Sequence, residues 1–215
     1  NPLGRHADPL FIGLHDLAGA EMSSKVVAKR DADEKVGVLG LIDGALGCIE
    51  YSDLSDELRH AADGEGNLLF SAGNIAAHVI RRDFVQGLTE GGDLDLPWHI
   101  ARKNLKSLSV SGDPVEQPGV KFETFIFDAL SQTTASVVLE VLRAEEFSPV
   151  KNAEGNDSPG TCREALSAIA AAIVGGQDGP VELDPRLAET PAEFAAAQPV
   201  GDHGPSGVVY RPAER

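Results

Sequence analysis

Three short polar motifs stand out in the sequence because each follows an apolar stretch that predicts a β-strand. They carry a carboxylate at Glu50, an amide at Asn74 and an ammonium at Lys151. Ligands of open α/β sheets bind at strand ends, so the motifs indicate a site for a polar, anionic ligand. Their sequences are Ile49-Glu50-Tyr51-Ser52-Asp53, Phe70-Ser71-Ala72-Gly73-Asn74 and Phe147-Ser148-Pro149-Val150-Lys151-Asn152.

Each of these side chains also has an ordinary structural interpretation. Glu50 could simply end its strand in water, and Lys151 could form a surface salt bridge with Glu145 or Glu146. Gly73 would let the backbone approach a ligand, and Asn74 offers a donor and an acceptor together. Asn74 could equally cap a helix. The residue types alone leave these alternatives open.

Two phenylalanines, Phe125 and Phe127, are separated by one residue. On a helix they could not share a face, whereas on a strand or turn they would point the same way. Two rings on one side could pack against the C–H face of a sugar or an acetyl methyl group. The alternative is an aromatic pair in the core.

Several motifs of known mechanism are absent from the sequence. It has no GxxxxGK[ST] loop, no GxGxxG, no GxSxG and no HExxH, so no familiar triphosphate-binding loop is present. His99 and Lys103 would share a helix face, but with no third ligand nearby we predict no metal site there. The sequence does not identify metal ligands.

Composition narrows the classes of partner. The 215 residues carry a formal net charge of −16, which repels nucleic acid and anionic membranes. We find no apolar run of membrane-spanning length and no leader-like start, and so expect a soluble, cytoplasmic protein. The two cysteines, Cys48 and Cys162, are expected to be buried thiols rather than a disulfide.

The hydrophobic pattern predicts an α/β fold with at least one antiparallel hairpin. The hairpin is expected at Asp43-Gly44, and a long helix is expected to begin at Ser158-Pro159 and end at Gly175-Gly176. Further strands are predicted at 24–29, 36–42, 46–51, 68–70 and 136–142, and helical segments at 75–80, 82–88, 97–103 and 120–130. From about residue 176 an acidic, Pro/Gly/Ala-rich segment predicts a loosely packed tail, separate from residues 1–175.

Taken together, the ordered motifs resemble the C-terminal half of the catalytic region of the eukaryotic-type UDP-sugar pyrophosphorylases. Five segments carry the resemblance in family order over roughly residues 1–174. They are Ala7-Asp8-Pro9-Leu10-Phe11-Ile12-Gly13, Glu50-Tyr51-Ser52-Asp53, Leu68 to Ala76, Lys121 to Asp128, and Glu146 to Ala153. Any one of these matches would be weak, but their shared order makes the signal strong.

The resemblance implies a Rossmann-like mixed sheet of the nucleotidyltransferase type. It also implies a reaction of UTP with a sugar 1-phosphate that forms a UDP-sugar and pyrophosphate with Mg²⁺. By position, Glu50 would hold sugar hydroxyls, Gly73 and Asn74 the sugar or its acetamido group, and Phe125 and Phe127 the pocket walls. Lys151 would contact phosphate as the catalytic cation, and Asn1 matches the asparagine of the family's Asp-Asn pair.

The departures from the family pattern are informative. The family's glycine-rich nucleotide loop is missing, as is the aspartate before Asn1, and Ser71 stands where N-acetyl-sugar enzymes often carry asparagine. We therefore expect a fragment whose N-terminal, nucleotide-binding half lies upstream and which alone does not turn over substrate. Two alternatives remain: a non-enzymatic sugar-phosphate-binding or regulatory module, and an enzyme that uses glucose 1-phosphate.

Overall fold

The computed structural model describes residues 1–92, 96–176 and 179–212. The chain divides into two compact units, one formed by Ala7–Glu140 and the other by Asn1–His6 with Val141–Arg215. Each unit is described by itself. Within the described ranges, no helix is both long and apolar enough to cross a membrane.

The larger unit, residues 7–140, is built on a five-stranded mixed sheet with the strand order β3-β2-β4-β1-β7. Strand β1 pairs in parallel with β7, and the other neighbours in the sheet are antiparallel. This confirms the predicted α/β class with a mixed sheet. Two further strands, β5 and β6, form a separate ribbon. The elements are α1 (Pro9–Leu17), β1 (Met22–Ala28), β2 (Val38–Ile42), β3 (Ala45–Ile49), α2 (Asp56–Arg59), β4 (Ala72–Ile80), α3 (Arg82–Leu88), β5 (His99–Leu108), β6 (Pro114–Glu123), a 3₁₀ helix (Ile126–Gln132) and β7 (Val138–Glu140).

Strand β1 lies between β4 and β7 and is the most buried strand of this sheet. Alternate residues of a strand point to opposite faces, and β1 is covered on both. On one face Met22 and Val26 join a hydrophobic cluster, the main core, completed by Leu39 of β2 and by Ala129 and Leu130 of the 3₁₀ helix. On the other face, Ser23 and Lys25 contact helix α1.

The local turn signals in the sequence proved accurate. Strands β2 and β3 form the predicted hairpin, and Asp43 and Gly44 both have positive φ, as the tight hairpin turn requires. Helix α5 (Pro159–Val174) begins after a Ser158 capping box and ends at Gly175 in the left-handed conformation. The strand predicted at 24–29 and the helix predicted at 82–88 are also confirmed as β1 and α3.

Three predicted helical segments are strands instead. Residues 75–80 belong to β4, residues 99–103 to β5, and residues 120–123 to β6. Their composition permits a helix, but pairing across the sheet or ribbon outweighs local propensity. The helical spacing of apolar residues within 120–130 is partly retained, because the 3₁₀ helix begins at Ile126.

Two predicted strands also shift. Residues 68–70 form a turn region, and the strand begins two residues later at Ala72. Gly73 and Asn74 therefore lie inside β4 rather than in a turn after a strand. The strand predicted at 136–142 is limited to Val138–Glu140, and helix α4 (Arg143–Glu146) separates it from the loop that carries Lys151. The sequence also predicts a helix stop at Gly91-Gly92-Asp93, of which Asp93 lies outside the described residues.

In the other unit, the segment beyond residue 176 differs from the loosely packed tail that we expected. It forms β8 (Val181–Leu183), α6 (Pro191–Ala197), β9 (Asp202–Gly204) and β10 (Gly207–Tyr210), and its sheet has the order β8-β10-β9. Val181, Val208 and Tyr210 are buried in one cluster with Ala170 of α5. A few apolar residues placed at strand positions thus suffice to pack this segment, although its overall composition is polar.

Candidate functional site

Glu50 directly follows β3 and lies beside the backbone of Gly37, just before β2. A Cβ atom added to Gly37 would come within 3.1 Å of Glu50 Oε1 and 3.0 Å of Cys48 Sγ. Glycine at position 37 therefore leaves the space that the Glu50 carboxylate occupies. The sequence motifs pointed to Glu50 but not to Gly37, whose role depends on a contact between neighbouring strands.

Asn74 is held by three hydrogen bonds within the same region. Its backbone N–H donates to the Gly37 carbonyl (2.8 Å), and its Oδ1 accepts from the Ala76 N–H (2.9 Å). Its Nδ2 donates to Cys48 Sγ at 3.6 Å. Asn74 therefore neither caps a helix nor sits in a simple turn. It opens a bulge in β4, where the pairing with β1 shifts and Ala76 has a φ of 58°.

Gly73 serves strand packing in this structure. A Cβ atom at this position would meet the Val27 carbonyl oxygen at 3.1 Å and Val36 Cγ1 at 3.2 Å. Gly73 pairs with Val27 on one side and Val38 on the other. The absence of a side chain thus allows β1, β4 and β2 to pack closely, a function distinct from the predicted ligand approach.

Cys48 links the two polar side chains of the site. Burial raises the pKa of its thiol to about 12, the hydrogen bond from Asn74 acts in the opposite direction, and the nearby charges of Glu50 and Asp128 raise it further. The thiol is therefore neutral at physiological pH. It serves as a packing group and as a weak acceptor for the Asn74 amide.

The two phenylalanines form a stacked pair, with ring centroids 4.8 Å apart and planes inclined by 13°. Phe125 is extended and immediately precedes the 3₁₀ helix, so the rings share one side. Phe127 packs against the main core, as does Cys48. The structure therefore brings Glu50, Asn74, Phe125 and Phe127 into one region of the larger unit.

A histidine–aspartate pair flanks the aromatic stack. His99 Nε2 donates to Asp128 Oδ2 at 2.8 Å, and the His99 imidazole is tilted against the Phe125 ring at a centroid distance of 4.8 Å. The sequence predicts a helix on which His99 shares a face with Lys103. In the structure His99 is the first residue of β5, and its partner lies 29 residues away.

Asn1 and Lys151 belong to the other unit. The Asn1 side chain donates to the Glu146 carbonyl (2.7 Å) and accepts from the Ser148 N–H (2.9 Å), so it fastens the start of the loop that leads to Lys151. The backbone N–H of Lys151 donates to the Asp157 carbonyl at 2.7 Å. Lys151 therefore sits on a loop whose two ends are tied by hydrogen bonds.

A buried ion pair lies on the face of β1 that contacts helix α1, away from the main core. The sequence motifs did not indicate it. Lys25 has no exposed side-chain surface, and its Nζ lies 2.8 Å from Asp8 Oδ2 and 5.5 Å from the centre of the Phe11 ring. This interaction with Lys25 is the main reason that the pKa of Asp8 is lowered. The polar run Ser23-Ser24-Lys25 inside an otherwise apolar strand was the available signal.

The described residues contain no group of three His, Cys, Asp or Glu side chains that could hold a metal ion. Mg²⁺ often keeps several waters and binds through one or two carboxylates and the substrate phosphates, so the Mg²⁺ implied by the resemblance remains a prediction.

Comparison with known proteins gives a consistent result. The family model for UTP--glucose-1-phosphate uridylyltransferase matches residues 1–158. The chain is 42% identical over 171 residues to human UDP-N-acetylhexosamine pyrophosphorylase-like protein 1, covering 77% of this chain and 34% of that protein. It is 40% identical over 173 residues to UDP-N-acetylglucosamine pyrophosphorylase of Saccharomyces cerevisiae, covering 77% and 36%. The chain thus spans about a third of the length of these relatives.

Solved structures share the fold. The uridine diphosphate N-acetylglucosamine pyrophosphorylase of Trypanosoma brucei, solved with an inhibitor, superposes with a TM-score of 0.77 at 24% identity, covering 99% of this chain and 47% of that chain. The UDP-glucose phosphorylase of the same organism gives a TM-score of 0.55 at 17% identity, covering 89% and 41%. The match extends over almost the whole chain, including the segment beyond residue 176.

Proposed function

Because the chain belongs to the UTP--glucose-1-phosphate uridylyltransferase family, we propose that it contributes the sugar-phosphate half of a UDP-sugar pyrophosphorylase site. The observation that carries this proposal is the group formed by Glu50, Asn74, Phe125 and Phe127 in the larger unit. A carboxylate and an amide can hydrogen-bond sugar hydroxyls or an acetamido group, and aromatic rings offer flat apolar walls. These are the chemical types that a sugar requires.

In the proposed reaction, a phosphate oxygen of the sugar 1-phosphate attacks the α-phosphorus of UTP. The new P–O bond forms as the bond to the leaving pyrophosphate breaks, which yields a UDP-sugar. The protein's main contributions are to position the reactants and to neutralise charge. Glu50 would accept hydrogen bonds from vicinal hydroxyls, Asn74 would orient the sugar, and the phenylalanines would line the pocket.

Further parts of this proposal come from the resemblance. Lys151 would contact phosphate and Asn1 the pocket, and Gly73 would lie near the sugar. The mixed sheet would be the C-terminal portion of a Rossmann-like nucleotidyltransferase domain. The UTP-binding glycine-rich loop would be supplied by the N-terminal half of the same protein.

The binding part of this proposal can be tested on the chain itself. We expect N-acetylglucosamine 1-phosphate to bind, with saturation transfer from the protein to its acetyl methyl protons in ligand-observed NMR. Glu50→Gln should weaken binding by about tenfold, the effect of losing one charge-assisted hydrogen bond. Glu57→Gln, an exposed carboxylate of α2, is the matched control and should leave the dissociation constant unchanged.

Two results would contradict the proposal: no saturation transfer to any sugar 1-phosphate, or equal weakening by the two glutamate substitutions. An assay of pyrophosphate release from UTP, Mg²⁺ and the sugar 1-phosphate tests the remaining part. We expect the 215-residue chain alone to release none, and turnover by this chain would refute the expected dependence on an N-terminal half.

A further inference from the structure

The His99–Asp128 pair connects two separate elements of the larger unit beside the aromatic stack. His99 begins β5, and Asp128 is the third residue of the 3₁₀ helix. Their side chains are 31% and 11% exposed, so the 2.8 Å hydrogen bond between Nε2 and Oδ2 is largely shielded from water. A charge-assisted hydrogen bond in such a setting restrains both side chains more than an exposed one would.

Phe125 depends on its neighbours for the position of its ring. Phe127 packs against the main core. Phe125 is only partly buried and immediately precedes the 3₁₀ helix. Its ring contacts two others: the stacked Phe127 ring at a centroid distance of 4.8 Å and the tilted His99 imidazole, also at 4.8 Å. Because Asp128 fixes the imidazole, it also limits the rotation and displacement of the Phe125 ring.

We infer that the His99–Asp128 pair positions Phe125 and thereby favours a sugar 1-phosphate that carries an acetamido group. This inference rests on the proposed function. An acetamido group presents a flat amide and a methyl group, which gain contact area only if the aromatic wall is held in place. A hydroxyl at the same sugar position gains little from that wall, so glucose 1-phosphate is far less sensitive to the position of the ring.

The test compares two ligands on the intact chain. Dissociation constants for N-acetylglucosamine 1-phosphate and glucose 1-phosphate are measured by calorimetric titration, together with saturation transfer to the acetyl methyl protons. For His99→Ala we expect the preference for the acetamido sugar to fall by about tenfold, the size of discrimination that a small apolar group provides. The constant for glucose 1-phosphate should change by less than about twofold, on the same reasoning.

Matched variants separate positioning from general damage. Asp128→Asn keeps an oxygen that accepts from His99 and should retain most of the preference, whereas Asp128→Ala should lose it as His99→Ala does. His60→Ala makes the same chemical change at an exposed histidine of the α2 region and should change neither constant. If His99→Ala fails to fold, as judged by its amide NMR spectrum, the two Asp128 variants decide the question.

The outcomes distinguish this inference from the proposed function. An unchanged preference in folded His99→Ala and Asp128→Ala overturns the inference alone, as does equal weakening of both ligands. If the unsubstituted chain binds neither ligand, the proposed function fails and the inference fails with it. Loss of preference in the two alanine variants, with rescue by Asp128→Asn, supports the positioning role.

Discussion

Asp8→Asn would isolate the charge of the buried Asp8–Lys25 pair from the capping of helix α1. In the structure Asp8 Oδ1 accepts from the Leu10 N–H at 3.0 Å, while Oδ2 meets Lys25 Nζ at 2.8 Å. Asparagine is also a good N-cap residue, so the first contact survives. At the second, the substitution places an amide N–H₂ where the carboxylate faced the ammonium, and the attraction is lost.

The magnitude follows from distance and burial. At 2.8 Å and an effective dielectric constant of about 20, the gross attraction is about 6 kcal/mol. Part of it offsets the desolvation of the two ions, and removing one partner of a buried pair typically costs about 3–5 kcal/mol. We expect Asp8→Asn to lie in that range, because the Lys25 side chain has no exposed surface.

Substitution of the other partner, Lys25, should reduce the free energy of unfolding less than Asp8→Asn does. Lys25→Met keeps the buried volume and leaves Asp8, which is 16% exposed and retains the Leu10 N–H. We expect a loss of about 1–3 kcal/mol, the usual cost of a buried group that loses a partner. The double variant Asp8→Asn/Lys25→Met should be more stable than Asp8→Asn alone, since no buried ammonium remains.

Urea unfolding followed by far-ultraviolet circular dichroism measures these differences. Glu182→Gln, which removes one carboxylate from an exposed ion pair with Arg211 at 3.7 Å, is the control and should leave the midpoint unchanged. A loss below about 1 kcal/mol for Asp8→Asn would refute the reasoning. A Lys25→Met variant less stable than Asp8→Asn would refute it as well, since the asymmetry derives from the difference in burial.

Four further predictions follow from the same structure. The pKa of Asp8 is lowered in the folded state. The ionised carboxylate therefore stabilises the fold above the unfolded pKa of about 3.9, and this stabilisation is lost as pH falls through the folded pKa. In urea titrations at decreasing pH, the difference in the free energy of unfolding between the unsubstituted chain and Asp8→Asn should disappear. The Cys48 thiol, with a pKa of about 12, should react with iodoacetamide at pH 8 on the order of a thousandfold more slowly than a free cysteine, and mass spectrometry showing rapid native-state alkylation would contradict this. Gly73→Ala should destabilise the sheet by about 1–3 kcal/mol, whereas Gly40→Ala, where a Cβ meets nothing within 4 Å, should not, as thermal melts would show. Tyr210→Ala should cost about 3–4 kcal/mol because Tyr210 is buried edge-on to Phe194, and an unchanged melting curve would mean that the segment is loosely packed after all.

The parts of the fold that were predictable from the sequence are those specified by local chemistry. Asp43-Gly44 specifies a tight hairpin turn, and Ser158-Pro159 and Gly175 specify the two ends of α5. Strand β4 pairs with β1 some fifty residues earlier, and no window of ten or twenty residues contains that pairing. Strands β5 and β6 are joined by a short turn and form a local hairpin, so their misassignment as helices reflects an ambiguous hydrophobic pattern rather than a distant partner.

The same distinction applies to the candidate site. Glu50, Asn74 and the two phenylalanines stood out by residue type and order, and the structure places them in one region. Gly37 and the His99–Asp128 pair did not stand out, since their significance lies in contacts between elements far apart in the chain. Candidate side chains can be selected from the sequence by residue type and order, whereas the residues that contact and orient them are identified only from the fold.

The position of β1 between β4 and β7 has a consequence for how the protein is made. Its parallel partner β7 lies 114 residues downstream, as the Ser23–Val137 hydrogen bond shows. At synthesis rates of about 5–20 residues per second, β1 emerges from the ribosome roughly 6–23 s before β7. During that interval the edge of β1 that pairs with β7 exposes unpaired backbone N–H and C=O groups, so the nascent chain should be most prone to strand-to-strand aggregation before residue 140 is translated.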